Sequence, residues 1–317
     1  MSKVLVVIKS MGIGDLCILI SNIHAISKKT RSAVTVLAQQ NTRASSILKN
    51  DPHVEEVIEL NEHQIKGFFN IIKKIKNKKF DQSYIYSDSI RLYLISKLSG
   101  IKEIFHYKFF SKKGENFYRG AKEFTERTLK IKVDPQSKIY CDNRDIEKAK
   151  KKFYITDNTK NIICGISASG PTKRWDINNY IKLFINLNNK FQCKFFLAGG
   201  PDDEKLIKQI IDTSIGKHCV SFSKMNLSET IPIIAASQYY IGNDTGWGHI
   251  ASGLGLKSLF LFMDSPPLAY GVYSKNINII CPNNLTIETT GHNTRGKDRI
   301  LFDDVLKKST EIINPNF

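Results

Sequence analysis

The sequence predicts an α/β protein made of two Rossmann-like, doubly wound domains, and three observations lead to this prediction. Short β-branched runs alternate with segments whose apolar residues recur at helical spacing, a pattern typical of parallel sheets covered by helices. This rhythm weakens between residues 108 and 160 and then begins again. The chain has 317 residues, which is enough for two domains of ordinary size.

The first half opens with a buried strand, KVLVVIK at 3–9, and continues with a helix at 15–29 whose apolar residues form one stripe. The elements that follow alternate in the same way. They are strands at 33–38 and 53–60, a helix at 65–76, and strands at 81–86 and 101–107 that bracket another helix.

The polar segment 141–161 lacks a strong strand, and we place the domain boundary within it, giving domains at 1–155 and 156–317. The second half repeats the alternation. Its strands are predicted at 161–167, 193–199, 239–243 and 256–263, and its helices at 176–190, 202–213, 227–237 and 303–313. The last helix either closes the second domain or packs back on the first.

The composition is that of an ordinary globular protein, with 41% apolar and 24% charged residues. No apolar run reaches the ~18 residues needed to cross a bilayer, and the N-terminus lacks the pattern of a secretory signal. The six cysteines include no C-x-x-C pair, which fits reduced thiols better than disulfides or a zinc site. We therefore expect a cytoplasmic protein.

The net charge of +17 is large and unevenly distributed. Six lysines and no acid lie between Gln64 and Phe80, and ten Lys or Arg residues accompany four Glu between Lys97 and Lys132. Such a field favours an anionic partner, which includes nucleic acid, anionic lipid and phosphorylated substrates. A solvated face in a lysine-rich sequence explains the same charge, and both interpretations stay open.

The first candidate motif, GIGDL, follows the first strand and contains Gly12, Gly14 and Asp15. It is not a dinucleotide fingerprint, because Cys17 stands where the third glycine would be, and it lacks the Lys-Ser/Thr of a P-loop. One interpretation makes Asp15 the helix N-cap. The other places its carboxylate in a ligand cleft, where the glycines let a substrate approach the backbone closely.

The second motif, SASGPTKRW at 167–175, forms a loop after the first strand of the second half. Its hydroxyls and cations suit a diphosphate, and the candidate residues are Ser167, Ser169, Thr172, Lys173 and Arg174. The alternative is a basic loop whose tryptophan packs on the domain.

The third motif, LAGGPDDE at 197–204, is a strand end with a turn at Gly199 and Gly200. Glu204 can accept hydrogen bonds from two hydroxyls of a ribose. The alternative is that the acids of this motif serve only as partners of the helix dipole.

The fourth motif, NDTGWGH at 243–249, joins a strand to a helix that begins near Gly246. A helix start with exposed N–H groups and the Thr245 hydroxyl is an anion site, and Asp244 can accept hydrogen bonds from sugar hydroxyls. His249 either binds phosphate or fills the interior. Because all four motifs follow predicted strand ends, we expect them to share one cleft.

Together the four motifs resemble, in order and over most of the chain, glycosyltransferase family 9, the lipopolysaccharide heptosyltransferases. The most specific match is the Asp-(Ser/Thr)-Gly-x-x-His signature at 244–249. The resemblance implies a GT-B fold, with the acceptor on the first domain and the nucleotide-sugar donor on the second. It also implies an inverting, metal-independent transfer, and the sequence contains no Asp-x-Asp metal motif.

The resemblance implies roles for the residues at matching positions. Asp15 falls at the general-base aspartate of the family. The implied donor-binding positions are Lys173 for the phosphates with Arg174 beside it, Glu204 for the ribose, Met225 near the nucleotide base, and the signature residues Asp244, Thr245, Gly246 and His249. The spacing around Glu204 allows Asp203 to take the ribose instead.

The function implied by the resemblance is transfer of a heptose from ADP-heptose to a lipopolysaccharide core or a related anionic glycolipid, with no cofactor and no metal. Electrostatic contact with the inner membrane, as a peripheral protein, is a further hypothesis. The enzymatic alternatives are an N-acetylhexosamine transferase and a nucleotide-sugar epimerase. A basic nucleic-acid-binding protein is the non-enzymatic alternative, although the sequence lacks an aromatic-basic RNA motif or a helix-turn-helix signature.

Overall fold

The structure is a computed structural model that describes residues 2–9, 12–61, 67–107 and 116–315. By its internal contacts the chain divides into two compact units, Met1–Tyr140 and Cys141–Phe317. Each unit is built on one parallel sheet, so the predicted α/β class with two Rossmann-like domains is confirmed. The division precedes helix Asn143–Phe153, whereas the sequence placed the boundary after residue 155.

The first unit contains a five-stranded sheet in the order β3-β2-β1-β4-β5. Its strands are β1 (Val4–Ile8), β2 (Val34–Gln39), β3 (Val54–Leu60), β4 (Gln82–Tyr86) and β5 (Glu103–His106). All neighbouring strands are parallel. The order of the strands reverses between β1 and β4, and in doubly wound sheets ligands bind at this switch point, beyond the carboxyl ends of the strands.

Helices cover the sheet of the first unit. They are Ile13–Thr30, Ala44–Ile47, Phe68–Lys76, Ile90–Leu98 and Phe117–Leu129. Helices Phe68–Lys76 and Ile90–Leu98 share one core with the sheet, in which Ile71, Ile75 and Ile95 pack against strand residues such as Leu5 and Ile85.

The second unit contains a six-stranded parallel sheet in the order β11-β10-β9-β6-β7-β8. Its strands are β6 (Lys160–Gly165), β7 (Cys193–Ala198), β8 (Cys219–Ser221), β9 (Tyr239–Asn243), β10 (Lys257–Leu261) and β11 (Ile277–Ile280). The switch point of this sheet lies between β6 and β9. Most residues of β6, β7, β9 and β10 are buried, as expected for a parallel sheet covered on both faces.

The helices of the second unit are Asn143–Phe153, Ile177–Lys190, Glu204–Ile211, Leu227–Ala235, Gly246–Gly253, Pro267–Tyr270 and Phe302–Ile313. The C-terminal helix packs against helix Ile177–Lys190 and strands β9 and β10. Its residues Val305 and Ile313 belong to the core of this unit.

Six of the described α-helices and strands were not predicted from the sequence: the short strands β8 and β11, the one-turn helices Ala44–Ile47 and Pro267–Tyr270, and helices Phe117–Leu129 and Asn143–Phe153. Helix Asn143–Phe153 contains only three apolar residues, Ile146, Ala149 and Phe153, and charged side chains make up most of the segment, which conceals their helical spacing. Residues 65 and 66 of the predicted helix at 65–76 lie outside the described residues.

None of the helices in the described parts of the chain combines the length and apolarity that crossing a bilayer requires.

Candidate functional site

The switch point of the second sheet brings the second and fourth motifs together. Strand β6 ends at Gly165 and β9 passes beside it through Gly242, and these two glycines are direct partners in the register. A Cβ on Gly242 would lie 2.5 Å from the backbone N and Cα of Gly165. Glycine at 242 therefore lets the two strand ends approach closely enough to carry adjoining loops.

Asn243 joins the two loops. It is fully buried, and its Oδ1 accepts hydrogen bonds from the backbone N–H of Trp175 at 3.1 Å and the hydroxyl of Tyr180 at 2.9 Å. Its Nδ2 donates to the carbonyls of Ile166 at 3.0 Å and Ser167 at 3.2 Å. The amide thus uses all its donors and both lone pairs of its oxygen to hold the start and the end of the 167–175 loop.

The sequence analysis did not single out Asn243. The available signal was an amide as the last residue of an otherwise apolar strand, a position that a buried polar group occupies only with hydrogen-bond partners.

The last two residues of the loop face different surroundings. Trp175 is buried and its indole N–H donates to the carbonyl of Ile300 at 3.2 Å, so the packing role considered for this tryptophan is real. Arg174 stays partly exposed and donates to the carbonyl of Ala168 at 3.0 Å. Its guanidinium also lies 3.5 Å from Oδ1 of Asp203, which links this loop to the third motif.

Lys173 lies among acids of the second unit. The hydroxyl of Thr172 donates to Asp264 at 2.7 Å, and the charge of Lys173 helps to lower the pKa values of both Asp264 and Asp244. Burial alone would raise the pKa of Asp264, but hydrogen bonds from the Arg295 backbone N–H and from Thr172 outweigh it. Lys173 therefore faces ionised carboxylates at the switch point.

The two serines of the loop differ in exposure, since Ser167 is buried and Ser169 is exposed. Ser167 contributes its carbonyl to the contact with Asn243, whereas Ser169 stands at the open part of the loop.

Asp244 is held by a chain of hydrogen bonds. Its Oδ1 lies 3.2 Å from Nε2 of His249, and its Oδ2 accepts from the hydroxyl of Ser265 at 2.6 Å. On the other side of the ring, Nδ1 of His249 lies 2.9 Å from the hydroxyl of Tyr273. An Nε2–H tautomer donates to Asp244 and lets Nδ1 accept from Tyr273.

Burial by itself would raise the pKa of Asp244, but hydrogen bonds from His249 and Ser265, with the nearby charge of Lys173, hold it below its usual range. His249 is buried beneath this carboxylate. Of the two interpretations of His249, the geometry matches the one in which the ring fills the interior, where it orients Asp244. Ser265 and Tyr273 were not predicted, because they lie outside the motif.

The helix Gly246–Gly253 starts at the same edge, with Thr245 as its N-cap. The cap makes no side-chain hydrogen bond to the helix, and the N–H groups of Gly248 and His249 donate to the carbonyl of Thr245. The N–H groups of Gly246 and Trp247 at the helix start are therefore the donors that can meet an anion. A Cβ on Gly248 would lie 2.5 Å from the ring of Phe260, so glycine is needed for this helix to pack closely on the sheet.

The third motif forms a turn after β7. The backbone N–H of Gly200 donates to Oδ2 of Asp203 at 3.0 Å, and a Cβ on Gly199 would lie 3.0 Å from Cβ of Asp203. Asp203 is therefore engaged in the turn. Glu204 is exposed and pairs with Lys224 at 3.0 Å, just before the half-buried Met225 that follows β8.

In the first unit, Asp15 is the third residue of the helix that begins at Ile13. The N-cap is Gly12, so the interpretation of Asp15 as the N-cap is wrong. The partly exposed carboxylate lies near Cys17, whose thiol pKa is raised by burial and by the charge of Asp15. A Cβ on Gly12 would meet nothing within 4 Å, so the space over this glycine is open, while Gly14 lies inside the first turn.

A cavity of about 420 Å³ lies at the switch point of the first sheet. It collects residues from the carboxyl ends of β1, β2, β4 and β5 and from the helix Phe117–Leu129. Its polar lining includes Lys9, Gln39, Ser87 and Asp88, and its aromatic lining is Tyr86, Tyr107 and Phe117. Aromatic faces beside a cation, an acid and an amide are a common combination for binding a sugar.

Among the described residues, no group of three or more His, Cys, Asp or Glu side chains is arranged to hold a metal ion.

The comparisons with known proteins agree with the motifs. The family model of "Glycosyltransferase family 9 (heptosyltransferase)" matches residues 122–297, which is more than half of the chain. Among curated proteins, lipopolysaccharide heptosyltransferase 1 of Campylobacter coli is 22% identical over 315 residues, covering 90% of this chain and 92% of its own length.

Two solved structures have the same fold over nearly the whole chain. The ADP-heptose lps heptosyltransferase II of E. coli is 19% identical with a TM-score of 0.74, and each chain is covered to 98%. A glycosyl transferase family 9 protein from Veillonella parvula is 17% identical with a TM-score of 0.79, covering 99% of this chain and 98% of its own.

Proposed function

We infer the reaction from one premise: the chain belongs to glycosyltransferase family 9, the heptosyltransferases. The resemblance seen in the four motifs is thereby confirmed, and so is the GT-B fold with two Rossmann-like units. The chain is accordingly a glycosyltransferase. We propose below the donor, the acceptor, the course of the reaction and the role of each residue.

We propose that the enzyme transfers a heptose from ADP-heptose to a lipopolysaccharide-type core. The names of the relatives support this choice, since one is an ADP-heptose lps heptosyltransferase and another a lipopolysaccharide heptosyltransferase. The single observation that carries the proposal for this chain is the edge of the second sheet, where Lys173 and the first turn of helix Gly246–Gly253 follow adjacent strands.

The diphosphate of the donor fits that edge for electrostatic reasons. A helix N-terminus carries a partial positive charge and N–H donors, and Lys173 adds a full charge beside it. Thr245 and Ser169 supply hydroxyls, and Arg174 stiffens the loop through Ala168 and Asp203. Asp244, oriented by its buried partners, accepts hydrogen bonds from hydroxyl groups of the donor sugar.

For the ribose we propose Glu204 rather than Asp203. Asp203 already accepts from the Gly200 N–H and contacts Arg174. Glu204 is paired only with the exposed Lys224 among its described contacts, and a ribose diol can replace such a surface ion pair at little cost. Met225, in the loop that follows the neighbouring strand β8, is proposed to lie near the adenine.

The proposed mechanism is a single displacement with inversion. Asp15 accepts the proton of an acceptor hydroxyl while that oxygen bonds to the anomeric carbon and the bond to the diphosphate breaks. Lys173 and the helix N-terminus stabilise the charge that develops on the leaving diphosphate, which is the role a metal ion has in metal-dependent transferases. We therefore propose a metal-independent reaction without a cofactor.

For the acceptor we propose the cavity of the first unit. Its aromatic side chains can stack on a sugar ring, Lys9 can meet an anionic group, and Asp88 can accept hydrogen bonds from hydroxyl groups. Gly12 leaves open space close to Asp15, which favours the approach of an acceptor hydroxyl to the base.

The location proposed for the enzyme is the cytoplasm, with reversible attachment to the inner membrane. The net charge of +17 supports attraction to an anionic lipid surface.

The experiment that tests the function is a transfer assay with ADP-, UDP- and GDP-sugars, preceded by thermal shift with the same donors. We expect ADP-heptose to raise the unfolding temperature and to support transfer to a heptose-deficient core glycolipid. Stabilisation and turnover with UDP-N-acetylhexosamines alone would instead indicate the transferase or epimerase alternatives.

A further inference from the structure

Three apolar residues lie exposed along one side of helix Ile90–Leu98 in the described part of the chain. Ile95 packs in the core, whereas Ile90, Leu94 and Leu98 are exposed to 57%, 41% and 55%. These three residues are spaced four positions apart, so they lie along one face of the helix. The helix also carries Arg91 and Lys97, but the face formed by these three residues is apolar, and it stays exposed within the residues that the structure describes.

The neighbouring helix Phe68–Lys76 extends the apolar surface. At one end the ring of Phe69 lies 5.5 Å from that of Phe68, and the Phe68 ring lies 5.9 Å from the Arg91 guanidinium. At the other end the hydroxyl of Ser99 donates to the carbonyl of Ile72 at 3.3 Å. The two helices therefore lie side by side.

Phe69 is 79% exposed, the highest value among the large apolar side chains of this unit that are described as exposed. We call the four residues together the apolar stripe: Phe69, Ile90, Leu94 and Leu98.

Exposed lysines accompany the apolar stripe on the same two helices and in the residues just after them. Residues 67–80 and 89–102 contain no acid, and their exposed lysines include Lys73, Lys74, Lys76, Lys79 and Lys97. Of the lysines in these segments, Lys78 is neutralised by an ion pair with Glu56 in the described structure. An apolar face with a dense basic rim is the pattern of elements that lie in the interfacial region of an anionic bilayer.

We propose that this face of the first unit docks on an anionic lipid bilayer, with the apolar stripe among the headgroups and the lysines against the lipid phosphates. Charge decides between this occupant and a second copy of the chain. A two-fold dimer would place the same lysine-rich rim against itself, and like charges would oppose it. A nucleic acid would satisfy the lysines but would leave the leucine and isoleucine side chains without an apolar partner.

The position of the stripe connects it with the cavity of the first unit. Ile90 follows Asp88, a residue of the cavity lining, by two positions. Docking would hold the cavity near the lipid surface, where a lipid-linked acceptor is found; this last step rests on the proposed function, whereas the docking itself does not.

The test is co-sedimentation of the full chain with phosphatidylcholine vesicles that contain or lack phosphatidylglycerol, at low and high salt and without donor. We expect binding to the anionic vesicles, weakened but not abolished by salt. Leu94→Gln with Leu98→Gln should lower the partition coefficient about tenfold or more. The matched control is Ile185→Gln, a comparably exposed apolar residue of the second unit at 36%, which should bind as the parent does.

The charge contribution is tested in the same way. Each cation near an anionic surface contributes about fivefold, so Lys73→Glu with Lys74→Glu should lower binding at least about 25-fold. Lys151→Glu with Lys152→Glu changes the net charge equally on another helix and is the control.

Three results would overturn the docking proposal: no binding of the parent chain to anionic vesicles, equal losses in stripe and control variants, or a dimer in sedimentation equilibrium that the Leu94→Gln, Leu98→Gln variant dissolves. Circular dichroism of each variant separates a lost surface from a lost fold. Because no sugar transfer enters the assay, a chain that binds vesicles but transfers no heptose would contradict only the proposed function.

Discussion

The two units share one strand order around their switch points but use it differently. In the second unit, buried polar groups fix the edge: Asn243 clamps one loop, and His249 and Ser265 orient Asp244. In the first unit, the described part of the switch point is an open cavity lined by side chains such as Lys9 and Tyr107.

The buried hydrogen bonds of the second unit and the open cavity of the first indicate which unit binds a ligand whose identity does not vary. A site held by satisfied buried hydrogen bonds is costly to alter, because any exchange leaves a buried partner unpaired. A cavity lined by surface side chains changes its specificity with single substitutions. We therefore expect the donor to be fixed by the second unit and the acceptor by the first, and the following predictions test this division.

The largest effect is expected from Asp15→Asn. Loss of the proposed general base should lower kcat by about 10²–10⁴-fold, while the Kd for ADP should stay unchanged because the proposed nucleotide contacts belong to the second unit. Steady-state kinetics and calorimetry measure the two quantities. Asp134→Asn, at an exposed carboxylate of the first unit outside the cavity, is the control and should retain kcat; an unchanged kcat of Asp15→Asn would show that Asp15 is not the base.

The next effect is expected at Asn243. Asn243→Ala should lower the free energy of unfolding by about 2–4 kcal/mol, since it leaves several buried groups without partners. Both tryptophans of the chain, Trp175 and Trp247, lie in the second unit, so urea unfolding followed by their fluorescence reports on this unit.

The isosteric Asn243→Asp variant sharpens this test. Its new oxygen would face the carbonyls of Ile166 and Ser167, which now accept from the amide, so we expect a loss at least as large as that of Asn243→Ala. A fully stable aspartate variant would show that the clamp is not needed.

A smaller effect is expected from Lys173→Ala. Removing one charge-assisted contact of about 1.5–3 kcal/mol should weaken ADP binding roughly 10–100-fold. Lys182→Ala, which removes an exposed cation from a helix of the same unit, should leave the Kd unchanged. Calorimetric titration measures the Kd for ADP of both variants, and equal values would show that Lys173 does not bind the phosphates.

The smallest effect is expected from Glu204→Gln, about fivefold in the Kd for ADP, because the site is exposed. The parent should bind 2′-deoxy-ADP more weakly than ADP, and Glu204→Gln should lose this preference. If Asp203→Asn abolishes the preference while Glu204→Gln keeps it, the ribose ligand is Asp203.

Much of the fold was predictable because its signals are local. Apolar runs such as those of β6 and β9 and the stripe of the first helix are properties of neighbouring residues. The edge strands β8 and β11 were missed, because three or four residues carry too little pattern. Helix Asn143–Phe153 was missed because charged residues dominate it and only three residues form its apolar stripe. Its Asp142 cap, which accepts from the Arg144 N–H at 2.8 Å, was a readable signal.

The motifs of the site were predictable from the sequence, but the hydrogen bonds that connect them were not. Residues Lys173, Asp244 and Thr245 follow strands that were recognised, so their common edge was foreseen. Ser265, Asp264 and Tyr273 were not predicted to belong to the site, because a hydrogen bond between residues distant in sequence produces no periodic pattern.

The sequence alone determined the alternation of strands and helices, the family signature and the placement of every motif after a strand, since hydrophobic period and turn chemistry act over a few residues. Only the tertiary structure decided that β6 lies beside β9, and that Asn243 and His249 are buried with partners far away in sequence. The physical reason is that strand order and buried hydrogen bonds depend on long-range packing, which no local pattern records.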